Sequence, residues 1–150
     1  FISEIYVIFF WSACHCYASE LFLLFYQEMA RINRDNLIKY QRASTLVGVI
    51  DLRHHIDHPI LGTWGGHCGY SVRPSERGKG YATEMLRQNV LNADKIGIER
   101  MLVVCDEDNI ASEKTILANS GHFEKIIEVD GCRMKRFWIN TNRKQSRGRG

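Results

Sequence analysis

Short runs of apolar and β-branched residues recur along the chain and predict six β-strands. They occupy residues 5–10, 45–52, 66–72, 100–106, 123–129 and 132–139. The run at 100–106 has a continuous apolar centre, which is typical of a strand covered on both faces of its sheet. Asp130 and Gly131 separate the last two runs, and this dipeptide between strand-like segments predicts a β-hairpin.

Apolar residues at helical spacing predict three α-helices between these strands. The first covers residues 19–32, and the second runs from Ala82 until Gly97 stops it. The third begins at Asn109, whose side chain can cap it, and ends before Gly121. The order strand, helix, strand, strand, helix, strand, helix, hairpin predicts a mixed sheet with helices on its faces, in the α/β (α+β) class.

The composition indicates one soluble globular domain, because the 150 residues are 45% apolar and 25% charged. We place this domain at residues 1–139, with 1–44 as an atypical N-terminal part. The net charge of +3 is misleading, because residues 140–150 hold four basic residues and no acid, so the remainder carries −1. We expect this tail to be disordered. Without interleaved aromatic residues its Arg-Gly pattern is weak support for nucleic-acid binding, and we expect no nucleic-acid partner.

The first thirty residues are strongly apolar and allow more than one interpretation. The charge-free run between Glu4 and Glu20 is about fifteen residues long, shorter than the ~18 that a membrane-spanning helix needs. No basic region precedes it, so we do not expect a secretory signal. A buried strand followed by a helix is our interpretation, with a membrane-associated segment or a foreign segment as alternatives.

The cysteines and histidines predict neither disulfides nor a metal site. The five cysteines are odd in number and form no Cys-x-x-Cys pair, which favours reduced thiols and a cytoplasmic location. Four histidines and a cysteine between 54 and 68 fit no standard zinc spacing. These residues are His54, His55, His58, His67 and Cys68.

Residues 77–82, Arg-Gly-Lys-Gly-Tyr-Ala, form a glycine-rich turn between a predicted strand and the second helix. The first N–H groups of a helix are unpaired and carry partial positive charge. Glycine lets an anion approach the backbone closely, and Arg77 and Lys79 add full positive charges. The turn therefore predicts a phosphate or pyrophosphate site. It is neither a Walker loop nor a Rossmann fingerprint, because Thr83 follows where a third glycine would stand.

Two blocks of residues resemble the GNAT N-acetyltransferase superfamily. The pattern Val72-x-Pro74-x-x-Arg77-x-x-Gly80-x-Ala82 resembles its acetyl-CoA motif, Arg/Gln-x-x-Gly-x-Gly/Ala. The second block, Asn109-x-x-Ser112 followed by Gly121 and Phe123, resembles its Asn-x-x-Ser/Ala…Gly-Phe segment. The resemblance covers roughly residues 47–139 and is closest to small bacterial members of unassigned substrate. It implies a central mixed, mostly antiparallel twisted sheet with helices on both faces and a C-terminal β-hairpin.

The resemblance also implies where acetyl-CoA would bind. The backbone N–H groups of the turn would hold the pyrophosphate, and these belong to Arg77, Gly78, Lys79, Gly80, Tyr81 and Ala82. The strand at Tyr70, Ser71 and Val72 would pair with the pantetheine arm. The strand at 100–106 would diverge from it and leave a wedge for the acetyl group. Asn109 and Ser112 would lie near the thioester, with the acceptor amine entering from the other side.

Acetyl transfer to an amine raises two proton problems of unequal size. An alkyl amine of pKa ~10.4 is protonated at neutral pH, and freeing its lone pair costs about 4–5 kcal/mol. Expelling the CoA thiolate, whose thiol has a pKa of ~8.5, costs only about 2 kcal/mol. A base is therefore the larger need. The candidates are His67, Asp106 and Glu107, with a half-buried strand histidine and two helix-capping carboxylates as the structural alternatives, and a water relay also remains open.

The thiolate also needs a general acid as its proton donor, and many members of the family place a tyrosine for this role on the helix after the asparagine block. That position here is Ile116, and no tyrosine follows Gly97. Ser112 or water is our hypothesis for the thiolate's proton source. If Ser112 is the acid, Ser112→Ala should lower the rate without weakening CoA binding.

The sequence thus predicts an enzyme that transfers acetyl from acetyl-CoA directly to a primary amine of a small molecule or peptide. Arg53 and His54 could face the acceptor pocket, or form a solvated strand end. Cys105 has no histidine partner in the sequence, so we do not expect an acetyl-enzyme. A catalytically inactive CoA-binding sensor is the alternative function, and a membrane-associated interaction protein is the third. A homodimer is consistent with the resemblance.

Overall fold

The computed structural model describes residues 37–42 and 45–142. In chain order the elements are β1 (Leu37–Arg42), β2 (Thr45–Asp51), β3 (Tyr70–Val72), α1 (Tyr81–Lys95), β4 (Arg100–Asp106), α2 (Ile110–Ala118), β5 (His122–Val129) and β6 (Cys132–Asn140). One turn of π-helix lies at Leu61–Gly65, and a 3₁₀ turn lies at Pro74–Glu76. The strands predicted at 45–52, 100–106, 123–129 and 132–139 and the second and third helices are confirmed within one or two residues.

The strands form two three-stranded antiparallel sheets, ordered β1-β2-β3 and β4-β6-β5. The predicted hairpin is confirmed, and Asp130 and Gly131 both adopt positive φ in its turn, at 50° and 78°. β3 and β4 are each an edge strand of their own sheet. The predicted α+β class is therefore correct, and the division into two sheets leaves β3 and β4 each with one edge that no other described strand pairs.

The core lies between α1, α2 and the two sheets. α1 presents its apolar face to β2 and β3, and its buried residues follow the helical spacing that predicted it. β4 buries Met101, Leu102 and Val103 completely, as expected for a strand covered on both faces. The largest fully buried side chain is Phe137 of β6. This core fixes the ends of β3 and β4 around which the candidate site is built.

Three predictions differ from, or fall outside, the described structure. β1 was not predicted, because residues 37–42 mix charged and apolar side chains without a clear period of two. The strand expected at 66–72 is regular only from Tyr70. Gly69 and His67 nevertheless accept hydrogen bonds from the N–H groups of Asp51, at the end of β2, and of Arg53, two residues further on. The strand at 5–10 and the helix at 19–32 lie outside the described residues.

At the C-terminal end, β6 runs one residue past the strand end predicted at 139. Asn140 is the last residue of β6, and Thr141 is buried, with its hydroxyl donating to the carbonyl of Ile98 at 2.6 Å. Residues 143–150 lie outside the described part. Within the described ranges, no helix is long and apolar enough to cross a membrane.

Candidate functional site

The glycine-rich turn leads directly into the N-terminus of α1. Gly78 and Gly80 both have left-handed backbone angles, with φ of 74° and 81°, which favour glycine. A Cβ placed on either glycine would meet no heavy atom within 4 Å, so the space above the turn is open. Gly80 is the N-cap of α1, and no side chain of the described residues caps it. The first N–H groups of α1 have no helical partner, and the turn beside them has free space around both glycines, so an anion could approach this end of the helix.

Two side-chain contacts hold the turn in this shape. The guanidinium Nε of Arg77 donates to the carbonyl oxygen of Val72 at 3.2 Å and so ties the turn to the end of β3. Lys79 donates to the carboxylate of Glu76 at 3.0 Å, and its side chain is 49% exposed. Both cations stay at the surface beside the turn, where they add to the positive potential of the helix N-terminus. These features are compatible with the pyrophosphate site that the sequence predicts, which stays a prediction.

The segment that leads into β3 approaches β4 at one point, and the two strands then belong to different sheets. The backbone N–H of His67 donates to the carbonyl oxygen of Leu102 at 2.8 Å. The N–H of Leu102 donates back to Nδ1 of His67 at 2.9 Å. At Gly66, with φ of 65°, a Cβ would lie 2.6 Å from the same Leu102 carbonyl, so only glycine allows this approach. The pair of contacts forms the apex of a wedge between the two strand edges.

His67 is buried at this apex, and its role there is structural. Burial, with a smaller effect of the nearby Arg53 charge, lowers the pKa of His67 below its usual value. Because Nδ1 accepts from Leu102, the neutral ring carries its hydrogen on Nε2. The Nδ1 lone pair is already occupied by this hydrogen bond, and an Nε2 that bears hydrogen has no lone pair to take a proton.

A buried ion pair lies behind the apex. Arg53 Nε lies 2.9 Å from Asp51 Oδ2, and Asp51 is fully buried. The other end of the guanidinium donates to the carbonyl oxygens of Gly65 and Gly66 at 2.6 and 3.1 Å. Gly69 N–H donates to the Asp51 carboxylate. This network locks the segment before β3 onto the end of β2. It also engages the side chain of Arg53, for which the sequence left open an acceptor-pocket position or a solvated strand end.

On the opposite side of the wedge, the first turn of α2 meets a side chain from β3. Asn109 caps α2 by accepting from the N–H of Ser112 at 3.1 Å, as predicted. The hydroxyl oxygens of Tyr70 and Ser112 lie 2.5 Å apart. Burial raises the pKa of Tyr70 above its ordinary value, so the phenol stays protonated. Cys105, on β4, is buried nearby, and burial raises the pKa of its thiol to about 11.

The other sequence candidates lie at or just beyond the ends of β2, β3 and β4. Glu107 makes a double hydrogen bond to Arg133, with distances of 2.5 and 3.0 Å, and this bond lowers the pKa of the carboxyl. Asp106 is half-buried at the end of β4, and its carbonyl accepts from the N–H of Asn109. His54 is exposed beyond the end of β2. Ser71 and Val72 pair with β2 through one edge of β3, which leaves the wedge side of that strand available.

Ile116 takes the position where the resemblance led us to look for a tyrosine. It is fully buried in the core, and Gly121 packs closely against it. This side chain contributes packing and offers no proton. The hydroxyl group of Tyr70 lies against α2 instead, where it contacts the hydroxyl group of Ser112. The sequence did not predict this contact because the two residues are 42 positions apart. No group of three metal-ligating side chains occurs within residues 37–42 and 45–142.

Comparisons with known proteins agree with this geometry. The family model described as "Acetyltransferase (GNAT) domain" matches residues 16–120, which is more than half of the chain. A search of curated proteins finds no match.

Solved structures give the same fold at low sequence identity. The acetyl-CoA complex of yncA, a putative acetyltransferase from Salmonella typhimurium, has a TM-score of 0.61 at 14% identity and covers 96% of this chain and 88% of its own. The ribosomal-protein-alanine N-acetyltransferase of Brucella melitensis has a TM-score of 0.61 at 15% identity and covers 77% and 75%. A spermidine N-acetyltransferase SpeG chimera from Vibrio cholerae and hSSAT has a TM-score of 0.57 at 14% identity and covers 86% and 84%. These likenesses show the fold, and the match of the family model shows that the chain belongs to the GNAT acetyltransferase family.

Proposed function

We propose that this protein is an N-acetyltransferase that moves the acetyl group of acetyl-CoA directly to a primary amine. The observation that carries the proposal is the pairing of two features at the ends of β3. Open amides at the N-terminus of α1 follow one end of the strand, and the wedge toward β4 flanks its free edge. The first suits a pyrophosphate, and the second suits an extended arm that bonds to a strand edge.

The residues of the turn would hold the pyrophosphate through their backbone N–H groups, with Arg77 and Lys79 beside it. The pantetheine arm would lie along the free edge of β3 at Tyr70, Ser71 and Val72. Its thioester would then reach the first turn of α2, near Asn109 and Ser112. Acetyl-CoA supplies an activated acyl group, and the chain supplies its orientation.

We propose direct transfer, without an acetyl-enzyme, because the two buried thiols near the wedge are poor nucleophiles. Burial raises the pKa of Cys68 to about 12 and that of Cys105 to about 11. At neutral pH only about one Cys105 in ten thousand would be a thiolate. Attack by either sulfur would need a base, and the nearest histidine, His67, has its Nδ1 engaged with Leu102.

For the amine's proton, we propose Asp106 or an ordered water that it holds. Asp106 is the last residue of β4, and it is half-buried. Glu107 remains a weaker candidate because its salt bridge to Arg133 lowers the pKa and therefore the basicity of the carboxylate. Ser112 is the group that we place next to the departing sulfur.

The acceptor is proposed as a class only. Structural neighbours act on spermidine and on the alanine of a ribosomal protein, and both reactions acetylate amines. Either a small polyamine or a peptide N-terminus is therefore a suitable starting probe. We expect the protein to work in a reducing cytoplasm, since Cys68, Cys105 and Cys132 are free thiols.

The test is release of free thiol from acetyl-CoA in the presence of a panel of amines that includes spermidine, an amino acid, an aminoglycoside and an alanyl peptide. We expect amine-dependent thiol release with at least one of them. If calorimetry shows that coenzyme A binds but no amine is acetylated, the proposal of an enzyme is overturned in favour of a CoA-binding sensor. The buried Ile116, in place of a proton-donating tyrosine, is the observation that keeps this second candidate in view. Absence of binding would overturn both.

A further inference from the structure

We infer that Tyr70 is a positioning residue that aims the hydroxyl of Ser112 at the sulfur of the bound coenzyme. This inference rests on the proposed function and adds a residue to it. The two hydroxyl oxygens lie 2.5 Å apart, and they join β3 on one side of the wedge to α2 on the other. Tyr70 and Ser112 are 42 positions apart in the sequence, and their contact places a hydrogen-bonded pair at the first turn of α2, where we propose that the thioester lies.

The direction of the hydrogen bond follows from the chemistry of its partners. A phenol is a much stronger hydrogen-bond donor than an aliphatic alcohol, because its proton is more acidic. The phenol oxygen of Tyr70 is 3.5 Å from the carbonyl oxygen of Ser112, which can only accept, and 2.5 Å from its Oγ. We therefore assign the phenol hydrogen to Ser112 Oγ. The hydrogen of Ser112 is then free to point elsewhere.

Ser112 also acts on a sulfur of the protein itself. Its side chain lowers the pKa of the Cys105 thiol, the smallest of the effects on that thiol, while burial raises it most. A coenzyme sulfur arriving in the wedge would present the same kind of acceptor to the same hydrogen.

The pair acts as a hydrogen-bond donor and keeps its protons. In the reaction the base first takes one proton from the ammonium group. The neutral amine nitrogen then forms the new C–N bond and gives up a second proton to water, while the C–S bond breaks with its electron pair on sulfur. If Ser112 gave its proton to the thiolate, the negative charge would pass to Tyr70, whose phenol holds its proton more tightly than the thiol does. The thiolate therefore leaves as an anion that the Ser112 hydrogen stabilises, and it takes its proton from water.

A hydrogen bond to an ionised group stabilises it enough to change a rate or an equilibrium by about tenfold to hundredfold. We expect Tyr70→Phe to lower kcat about tenfold with an unchanged Kd for coenzyme A. Ser112→Ala should lower it at least as much, and Ser112→Thr should restore most of the rate. The double variant should match Ser112→Ala, because Tyr70 acts only through Ser112. Ser120→Ala, in the exposed turn that follows α2, is the matched control and should leave the rate unchanged.

A second measurement needs no acceptor amine. The thiol pKa of bound coenzyme A is read from its thiolate ultraviolet absorbance, with desulfo-coenzyme A as the blank for the protein's own cysteines. We expect Tyr70→Phe and Ser112→Ala each to raise that pKa by about one unit. If coenzyme A binds and its thiol pKa is the same in wild type and Tyr70→Phe, this inference fails and the proposed function stands. The inference also fails if the double variant loses rate by the product of the two single losses. It fails likewise if the fall in kcat in each variant is matched by an equal rise in the Kd for coenzyme A. If coenzyme A does not bind, the proposed function fails first and this inference fails with it.

Discussion

Replacing Gly80 with alanine separates the two roles of the glycine-rich turn. The left-handed φ of 81° is costly for any residue with a Cβ, by about 1–2 kcal/mol. In a domain of this size that cost lowers Tm by roughly 2–8 °C. The new methyl group would also occupy the open space above the turn, where no heavy atom of the described residues lies within 4 Å. It would therefore meet a bound pyrophosphate.

The expected effect on binding is larger than the effect on folding. Displacing a phosphate from one or two backbone N–H groups removes hydrogen bonds to a charged group, each about 1.5–3 kcal/mol. The Kd for coenzyme A should therefore rise by at least about tenfold, measured by isothermal calorimetry at fixed ionic strength.

Gly97 provides a matched control at the other end of α1. Its φ is 82°, and a Cβ there also meets nothing within 4 Å. Gly97→Ala should cost the same stability and leave coenzyme affinity unchanged. If Gly80→Ala binds coenzyme A as tightly as wild type, the pyrophosphate does not lie on this turn and the reasoning is refuted. Equal losses of affinity in both variants would refute it as well, because the effect would then follow from stability alone.

Three further predictions concern the framework of the site. Burial lowers the pKa of His67 below 6.5, so the stability that depends on its neutral form is complete above pH 6.5 and declines as the pH falls below that value. His67→Asn keeps an acceptor for the Leu102 N–H and should make Tm nearly independent of pH between about pH 7 and about pH 5. An unchanged slope of Tm against pH would contradict this assignment. Gly121→Ala should lower the free energy of unfolding by about 1–3 kcal/mol in urea titrations, because its Cβ would overlap the Ile116 side chain and lie 2.8 Å from the Ile116 carbonyl oxygen. Arg136→Gln should lower the free energy of unfolding by about 2–3 kcal/mol, because the buried guanidinium donates to two carbonyl oxygens of the π-helical turn and to the carboxylate of Glu124 at 2.6 Å. A smaller loss than for Gly121→Ala would show that the carbonyl oxygens of the turn find other partners.

The sequence predicted the elements whose cause is local. α1 has a strong apolar period and a glycine at its end, and α2 has an asparagine cap that accepts from Ser112. The hairpin follows from Asp130 and Gly131, whose backbone angles few other residues adopt. The glycine-rich turn was predictable for the same reason, because its conformation and its chemistry both reside in consecutive residues.

The rest of the site depends on contacts between distant parts of the chain. The role of His67 was open in the sequence, and its burial and its bond to Leu102 exist only after β4 has been placed beside it. Arg53 was expected near an acceptor, but its partners are a carboxylate two residues earlier and carbonyls twelve and thirteen residues later. The hydroxyl pair of Tyr70 and Ser112 has no local pattern at all. Tertiary packing decides each of these side chains, and residue types alone do not.

The unpaired edges of β3 and β4 have a consequence for the lifetime of the protein in the cell. Two adjacent strand edges leave backbone groups that a bound pantetheine arm could pair, so the liganded form would be a more complete sheet than the free one. A ligand held only by the native state adds about 2.7 kcal/mol of stability when its concentration is a hundred times its Kd. We therefore expect cells depleted of acyl donor to degrade this protein faster, so that its abundance follows the metabolic supply of the group it transfers.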